Sequence, residues 1–157
     1  MMDDMYTNMH ATAISIGGKG VLLIGASGSG KSDLALRLID RGGVLVSDDR
    51  VLIERRNGQV ILQTAPNIAN MIEIRGVGIV HMPSVTGIAL ALVVQLSADV
   101  PRFVEELPAC DIVGLFVPCI AVAAFEASAA IKVELALSPL LTKPKRKWQS
   151  TCVEQTK

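Results

Sequence analysis

Apolar and polar positions follow one another in short blocks along this chain, and most blocks have the length of strands. His10-Ala11-Thr12-Ala13-Ile14-Ser15-Ile16 alternates loosely, the glycine-rich turn Gly17–Gly20 follows, and Val21-Leu22-Leu23-Ile24 is an unbroken apolar run. Strand, glycine turn and strand predict a hairpin, with His10 at the start of an edge strand. Residues 1–8 are polar and acidic and predict a disordered leader. From Lys31 to Asp40 the period changes to helical, with Leu34, Ala35, Leu38 and Ile39 on one side, and Gly42-Gly43 closes the helix.

A second series of strands is predicted downstream. Val44-Leu45-Val46 is a short buried strand that runs straight into Ser47-Asp48-Asp49. Val51–Glu54 and Val60–Gln63 flank Arg55-Arg56-Asn57-Gly58, where Asn-Gly signals a hairpin turn. Met71–Val80 reads as an extended segment with Glu73 and Arg75 on one face, broken by Gly76 and Gly78. Ile88–Leu96 is another strand, and Ser97–Leu107 a polar loop or short helix containing Glu105 and Glu106. Asp111–Val122 predicts two strands broken at Pro118, and Phe125–Leu137 a helix with Phe125, Ala129, Ile131 and Leu135 toward the core. Strands interleaved with two helices indicate an α/β domain over 9–140, followed by a polar, basic tail over 141–157.

Composition narrows this picture. The chain has 157 residues, the span of one domain, and half of them are hydrophobic, so a packed core is available despite few aromatics. Its formal net charge is zero, and the one basic run, Lys143-Pro144-Lys145-Arg146-Lys147, lies in the tail; nucleic-acid binding is not expected. The most apolar stretch, Ala109–Ile131, is interrupted by Asp111, Pro118 and Glu126, so no membrane span is expected. Cys110, Cys119 and Cys152 show no metal-ligand spacing, which suits reduced thiols, and a cytoplasmic location is expected.

The chemistry is concentrated after the first hairpin. Gly25-Ala26-Ser27-Gly28-Ser29-Gly30-Lys31-Ser32 fits G-x-x-x-x-G-K-[ST] at every specified position, between a strand and a helix as that motif requires. Glycines let successive backbone N–H groups turn inward around an anion, and the helix N-terminus adds partial positive charge. Lys31 is then expected on the β- and γ-phosphates of a nucleoside triphosphate and Ser32 on Mg²⁺. Asp48 and Asp49 stand at the tip of an apolar strand, where hard oxygen ligands for the metal are usually delivered. Adjacent residues there point to different sides, so one suits the metal and the other the proton of an attacking hydroxyl. Glu73 and Arg75 are either part of this site or an exposed ion pair.

The phosphate loop, Leu45-Val46-Ser47-Asp48-Asp49, and Ile72-Glu73-Ile74-Arg75-Gly76-Val77-Gly78-Ile79 together resemble the catalytic domain of bacterial HPr kinase/phosphorylase. The third segment resembles the family's own signature, and the likeness spans residues 10–85 and, more weakly, the chain to 137. The resemblance implies that family's P-loop-containing α/β fold, related to phosphoenolpyruvate carboxykinase. It also implies an ATP- and Mg²⁺-dependent protein serine kinase acting on an HPr-like phosphocarrier of the sugar phosphotransferase system. Family members also carry out phosphorolysis and assemble as homo-oligomers. Neither the family's N-terminal domain nor its C-terminal helix is recognisable in this sequence, and the resemblance implies the short form found in alphaproteobacteria.

Carried onto this sequence, the resemblance makes Asp48 the acid/base and Asp49 and Glu73 metal-side carboxylates, with Ser32. Arg75 becomes a charge neighbour of the phosphoryl oxygens, and His10 an active-site histidine. Other classes consistent with the motifs are an ATP-binding sensor module without phosphotransfer and a small-molecule kinase, the latter lacking any evident lid insertion.

Overall fold

The structure is a computed structural model and describes residues 5–102 and 108–138. The expected basic tail lies outside these residues, as do Cys152 and the Glu105-Glu106 part of the predicted loop. The strands are β1 (Met5–Met9), β2 (Thr12–Ile16), β3 (Lys19–Ile24), β4 (Val44–Ser47), β5 (Val51–Arg56), β6 (Gln59–Thr64), β7 (Met71–Ile74), β8 (Gly78–His81), β9 (Ile88–Leu96), β10 (Ala109–Ile112) and β11 (Leu115–Val122). The helices are α1 (Lys31–Asp40) and α2 (Ala129–Leu137).

Most strands join one sheet in the order β1-β5-β6-β9-β3-β2-β4. Strand β9 is its hinge: β3 runs parallel along one side, while the other side meets β6 at Ile88 and Ala89 and then β11 from Val93 to Leu96. Successive side chains of a strand point to opposite faces, so a strand buried on both faces reads as continuously apolar. In β3, Val21 and Leu23 enter a core with Leu34, Ala35 and Leu38 of α1 and Val133 and Leu137 of α2. Leu22 enters a second core on the other face, with Val46, Ile53, Leu62 and Val93. This two-sided burial fixes where β3 ends and hence where the phosphate loop begins.

Local signals hold where they are strongest. Helix α1 has its expected bounds and ends in paired bonds, Gly42 N–H to Ile39 O at 3.0 Å and Gly43 N–H to Leu38 O at 2.9 Å. Gly42 has φ 111°, the left-handed conformation this C-terminal cap needs. Asn57 and Gly58, at φ 53° and 74°, form the two-residue turn between β5 and β6.

Tertiary pairing overrides local reading elsewhere. The predicted leader is ordered from Met5: β1 pairs antiparallel with β5, Tyr6 opposite Glu54. Strand β2 is internal, between β3 and β4, so His10 does not begin an edge strand. The β10–β11 turn falls at Val113-Gly114 (φ 44° and 87°) rather than at Pro118. Pro118 sits where β11 passes from β10 to β9, so its missing N–H falls between two ladders. Helix α2 starts four residues after Phe125 and buries Ala129, Ala130, Val133 and Leu137; Phe125 is 73% and Ile131 40% exposed. Of the expected core positions Ala129 is buried, whereas Ile131 and Leu135 fall off the buried face, which continues from Ala129 at Val133 and Leu137, and Phe125 precedes the helix.

Glu54, on β5, is nearly inaccessible and accepts bonds from Arg56 Nε and Nη2 (2.8 Å each), Gln63 Nε2 (2.8 Å) and Tyr6 Oη (3.2 Å). The bonds from Arg56, then that from Gln63, hold its carboxyl below the ordinary value of 4.5. A lowered pKa in the folded state contributes stability that is full above 4.5 and lost as pH falls through the folded value. Glu54→Gln is therefore expected to lower Tm at neutral pH and to flatten the acid limb of the Tm–pH curve. Cys119 is buried, and burial together with the hydrogen bond its S–H donates to the nearby Cys110 pushes its thiol up to about 12, which leaves it unreactive.

Candidate active site

The site is assembled from ends of elements. Strand β3 delivers Gly25, and α1 begins at Lys31, so residues 25–30 must reverse direction within one turn. Gly28 (φ 81°) and Gly30 (φ 100°) take left-handed conformations, and Ser29 N–H closes the turn on Ala26 O at 3.0 Å. Lys31 is only 7% exposed, yet its ammonium reaches two carbonyls of the loop, Gly25 O at 2.9 Å and Ala26 O at 3.1 Å. Three donors on an ammonium leave one N–H for a ligand. Ser29 Oγ is buried with no protein partner. Such a loop, with inward donors and a basic group already in place, fits a polyphosphate.

A side chain at Gly30 would be strained. A Cβ there would lie 3.0 Å from Ala124 Cβ and 3.1 Å from Phe125 Cε1 and Cζ, besides the cost of its positive φ. Gly30→Ala is expected to weaken polyphosphate binding about tenfold or more, from about 1–2 kcal/mol of backbone strain plus the clash, measured by calorimetric titration.

The aspartates diverge as expected for adjacent residues. Asp49 has φ 66°, a kink that turns it away from Asp48. Asp48 is buried; its Oδ1 accepts from Ser32 Oγ at 2.7 Å and Thr12 Oγ1 at 3.0 Å, and its Oδ2 from Glu73 N–H at 3.1 Å. One carboxylate thus ties the phosphate-loop serine, β2 and β7 together. Asp49 is exposed, and its Oδ1 lies 2.7 Å from His10 Nε2.

A cavity of about 700 Å³ opens over the loop, within the usual range for ligand sites. Lys31, Ser32, Asp49, His10, Glu73 and Arg75 all line it, with Ser27, Gly28 and Gly30. Gly25, Ala26, Ser29 and Asp48 do not. Arg75 reaches the cavity from a tight turn, not from an extended segment. Val77 N–H bonds to Ile74 O at 3.0 Å, so Met71–Val80 is the hairpin β7–β8, made possible by positive φ at Gly76 and Gly78. Buried Ile72 anchors it to the core beside α1. Among the described residues, no ion pair joins Glu73 to Arg75, so both side chains are available to the cavity.

Among the described residues, no cluster of three His, Cys, Asp or Glu side chains is arranged to bind a metal by itself. Ser32, Asp48, Asp49 and Glu73 instead offer scattered hard oxygens, the donor type Mg²⁺ takes when phosphates and water complete its shell. Phe125 was missed as a site residue. Its apolar side chain read as core, and only the later start of α2, at Ala129, leaves it at the cavity.

The chain is similar to known proteins in sequence and in fold. The family model described as HPr Serine kinase C-terminal domain matches residues 4–103. HPr kinase/phosphorylase of Prosthecochloris aestuarii is 34% identical over 128 residues, 73% of this chain and 38% of the relative. That of Mycoplasmopsis pulmonis is 44% identical over 85 residues, 54% of this chain and 27% of the relative. The solved Hpr(Ser) kinase/phosphatase of Coxiella burnetii superposes with a TM-score of 0.75 at 27% identity, covering 85% of this chain and 95% of that one. The chain spans about two fifths of the length of the curated relatives it matches first.

Proposed function

Because the chain belongs to the HPr serine kinase C-terminal domain family, we propose that it transfers the γ-phosphoryl group of ATP to a serine of an HPr-like phosphocarrier protein. The observation that carries this reading is that a phosphate loop and an exposed, histidine-paired carboxylate open into one cavity. Phosphoryl transfer asks a protein mainly for positioning and charge stabilisation, plus a group that takes the hydroxyl proton.

In the proposed reaction the loop N–H groups and Lys31 hold the triphosphate. Asp49 takes the proton of the acceptor serine as its Oγ bonds to the γ-phosphorus, and the bond to the β–γ bridging oxygen breaks to release ADP. His10, 2.7 Å from Asp49, fixes the orientation of that carboxylate. Arg75 answers the charge on the transferring oxygens. Ser32 and Glu73 would hold Mg²⁺, with Asp48 on the metal side through Ser32 Oγ, and the ion would neutralise phosphate charge when bound. This exchanges the roles expected for the aspartates. A base must be reachable by its substrate, and Asp48 is buried with three donors already on it, whereas Asp49 is free toward the cavity.

The acceptor protein has an apolar footing on the same hairpin that carries Arg75, where Val77 is 74% and Ile79 66% exposed. The proposed setting is the cytoplasm, with the enzyme as a homo-oligomer; no helix among the described residues is long and apolar enough to cross a membrane. The test is incubation of the protein with labelled ATP, Mg²⁺ and an HPr-type carrier. Label on a carrier serine supports the reading, while ATP binding without transfer to any carrier tried rejects it in favour of a sensor.

A further inference from the structure

Phe125 is an apolar ring in a place that burial does not explain. It is 73% exposed and lines the cavity, and the carbons at its ring edge approach Gly30 of the phosphate loop. It is also held on both sides. Ala124 before it is buried, and the Arg37 guanidinium of α1 donates to the carbonyls of Ala124 and of Glu126, the latter at 3.1 Å. Arg37 is itself paired with Asp33 at 3.0 Å, one turn earlier in the same helix. The guanidinium is a planar fork, so two carbonyls flanking one residue fix that residue's backbone relative to the phosphate loop. The backbone that carries the ring is therefore held beside the phosphate loop before any ligand arrives.

Other cavity groups meet the polar half of a nucleotide, namely the loop N–H groups, Lys31, Arg75 and the carboxylates. A nucleobase needs a flat apolar partner. Phe125 is the only phenyl or indole ring that lines the cavity among the described residues. We propose that Phe125 is the nucleobase platform of the site: its ring stacks on the base of the bound nucleotide, with Arg37 as the residue that positions it. This rests on the nucleotide reading of the cavity and adds to it, since Phe125 lies beyond the residues matched by the family model. Stacking is tolerant of base identity because every base has a π-face, so the ring contributes affinity for the nucleoside rather than for the phosphates.

The test separates those halves of the ligand. Wild type, Phe125→Ala and Phe125→Trp are titrated calorimetrically with ATP and with inorganic tripolyphosphate, both with Mg²⁺, after melting curves confirm folding. The expected result is about a tenfold weaker ATP affinity for Phe125→Ala, unchanged tripolyphosphate affinity, and ATP affinity retained in Phe125→Trp. Arg37→Met is expected to lower the ratio of ATP to tripolyphosphate affinity in the same direction, which a merely structural loss would not do. Equal loss of both ligands in Phe125→Ala would overturn the proposal and make the ring a prop for the loop. Wild-type ATP affinity in that variant, with weaker transfer to a carrier protein, would overturn it in favour of acceptor docking. If wild type binds tripolyphosphate and ATP equally well, base recognition fails while the phosphate site stands; if it binds neither, the nucleotide reading fails as well.

Discussion

Asp49→Asn is expected to lower the single-turnover rate of the proposed phosphoryl transfer by about 10²–10⁴-fold, the usual worth of a positioned general base, and to leave ATP affinity close to wild type. Asn keeps the size of the side chain but cannot accept the hydroxyl proton. Because Asp49 is exposed and its one side-chain partner is His10, the substitution leaves little unsatisfied in the fold. His10→Ala is expected to follow in the same direction with a smaller loss, since it orients the carboxylate without taking the proton. Rapid-quench transfer from labelled ATP, with affinity measured separately, distinguishes a rate effect from a binding effect. A loss of ATP affinity equal to the loss of rate would place Asp49 on the metal side instead.

Asp48→Ala acts through the fold. It removes the acceptor for Ser32 Oγ, Thr12 Oγ1 and Glu73 N–H together, and leaves two buried or half-buried hydroxyls and a strand N–H without that partner. Such groups cost about 1–3 kcal/mol each when stranded, so a loss of about 3 kcal/mol is expected once water reaches some of them. That corresponds to a Tm drop of roughly 6–12 °C for a domain of this size. Ser32 and β7 lose their common tie, so ATP–Mg²⁺ binding falls too. Denaturant unfolding and titration of Asp48→Ala beside Asp49→Asn therefore give opposite patterns: one loses stability and binding, the other loses rate. Identical patterns would remove the division of labour between the two aspartates.

The sequence was most legible where a local rule and the tertiary environment agree. The β2–β3 hairpin, the loop from Gly25 to Ser32 and helix α1 depend on glycine punctuation, two-faced burial and helical spacing, all of them local. Asn57-Gly58 and the full extent of β9 were readable for the same reason. What local reading could not supply was partner choice. β1 is polar and is a strand only because β5 accepts it, and Pro118 is tolerated only because β11 changes partners there.

The candidate site shows the same boundary. Residue types pointed to Lys31, Ser32, Asp48, Asp49, Glu73, Arg75 and His10, and the fold gathers all but Asp48 around one cavity. Which aspartate faces outward depends on a positive φ at Asp49, a conformation that an Asp-Asp pair does not announce. Arg75 reaches the cavity because Gly76 and Gly78 turn the chain back, not because of strand alternation. Phe125 depends on where α2 begins and on a side chain 88 residues earlier, Arg37, that grips its neighbour Ala124's carbonyl and Glu126's.

We propose that this chain moves phosphate from ATP to a protein serine. The most direct measurement is mass spectrometry of an HPr-type carrier after incubation with the protein, ATP and Mg²⁺, beside Asp49→Asn and beside a carrier whose acceptor serine is alanine. The account predicts one added phosphoryl group on that serine with wild type, little with Asp49→Asn, and none on the alanine carrier. An unmodified carrier in the presence of protein that demonstrably binds ATP, or phosphate appearing equally with Asp49→Asn, would contradict it.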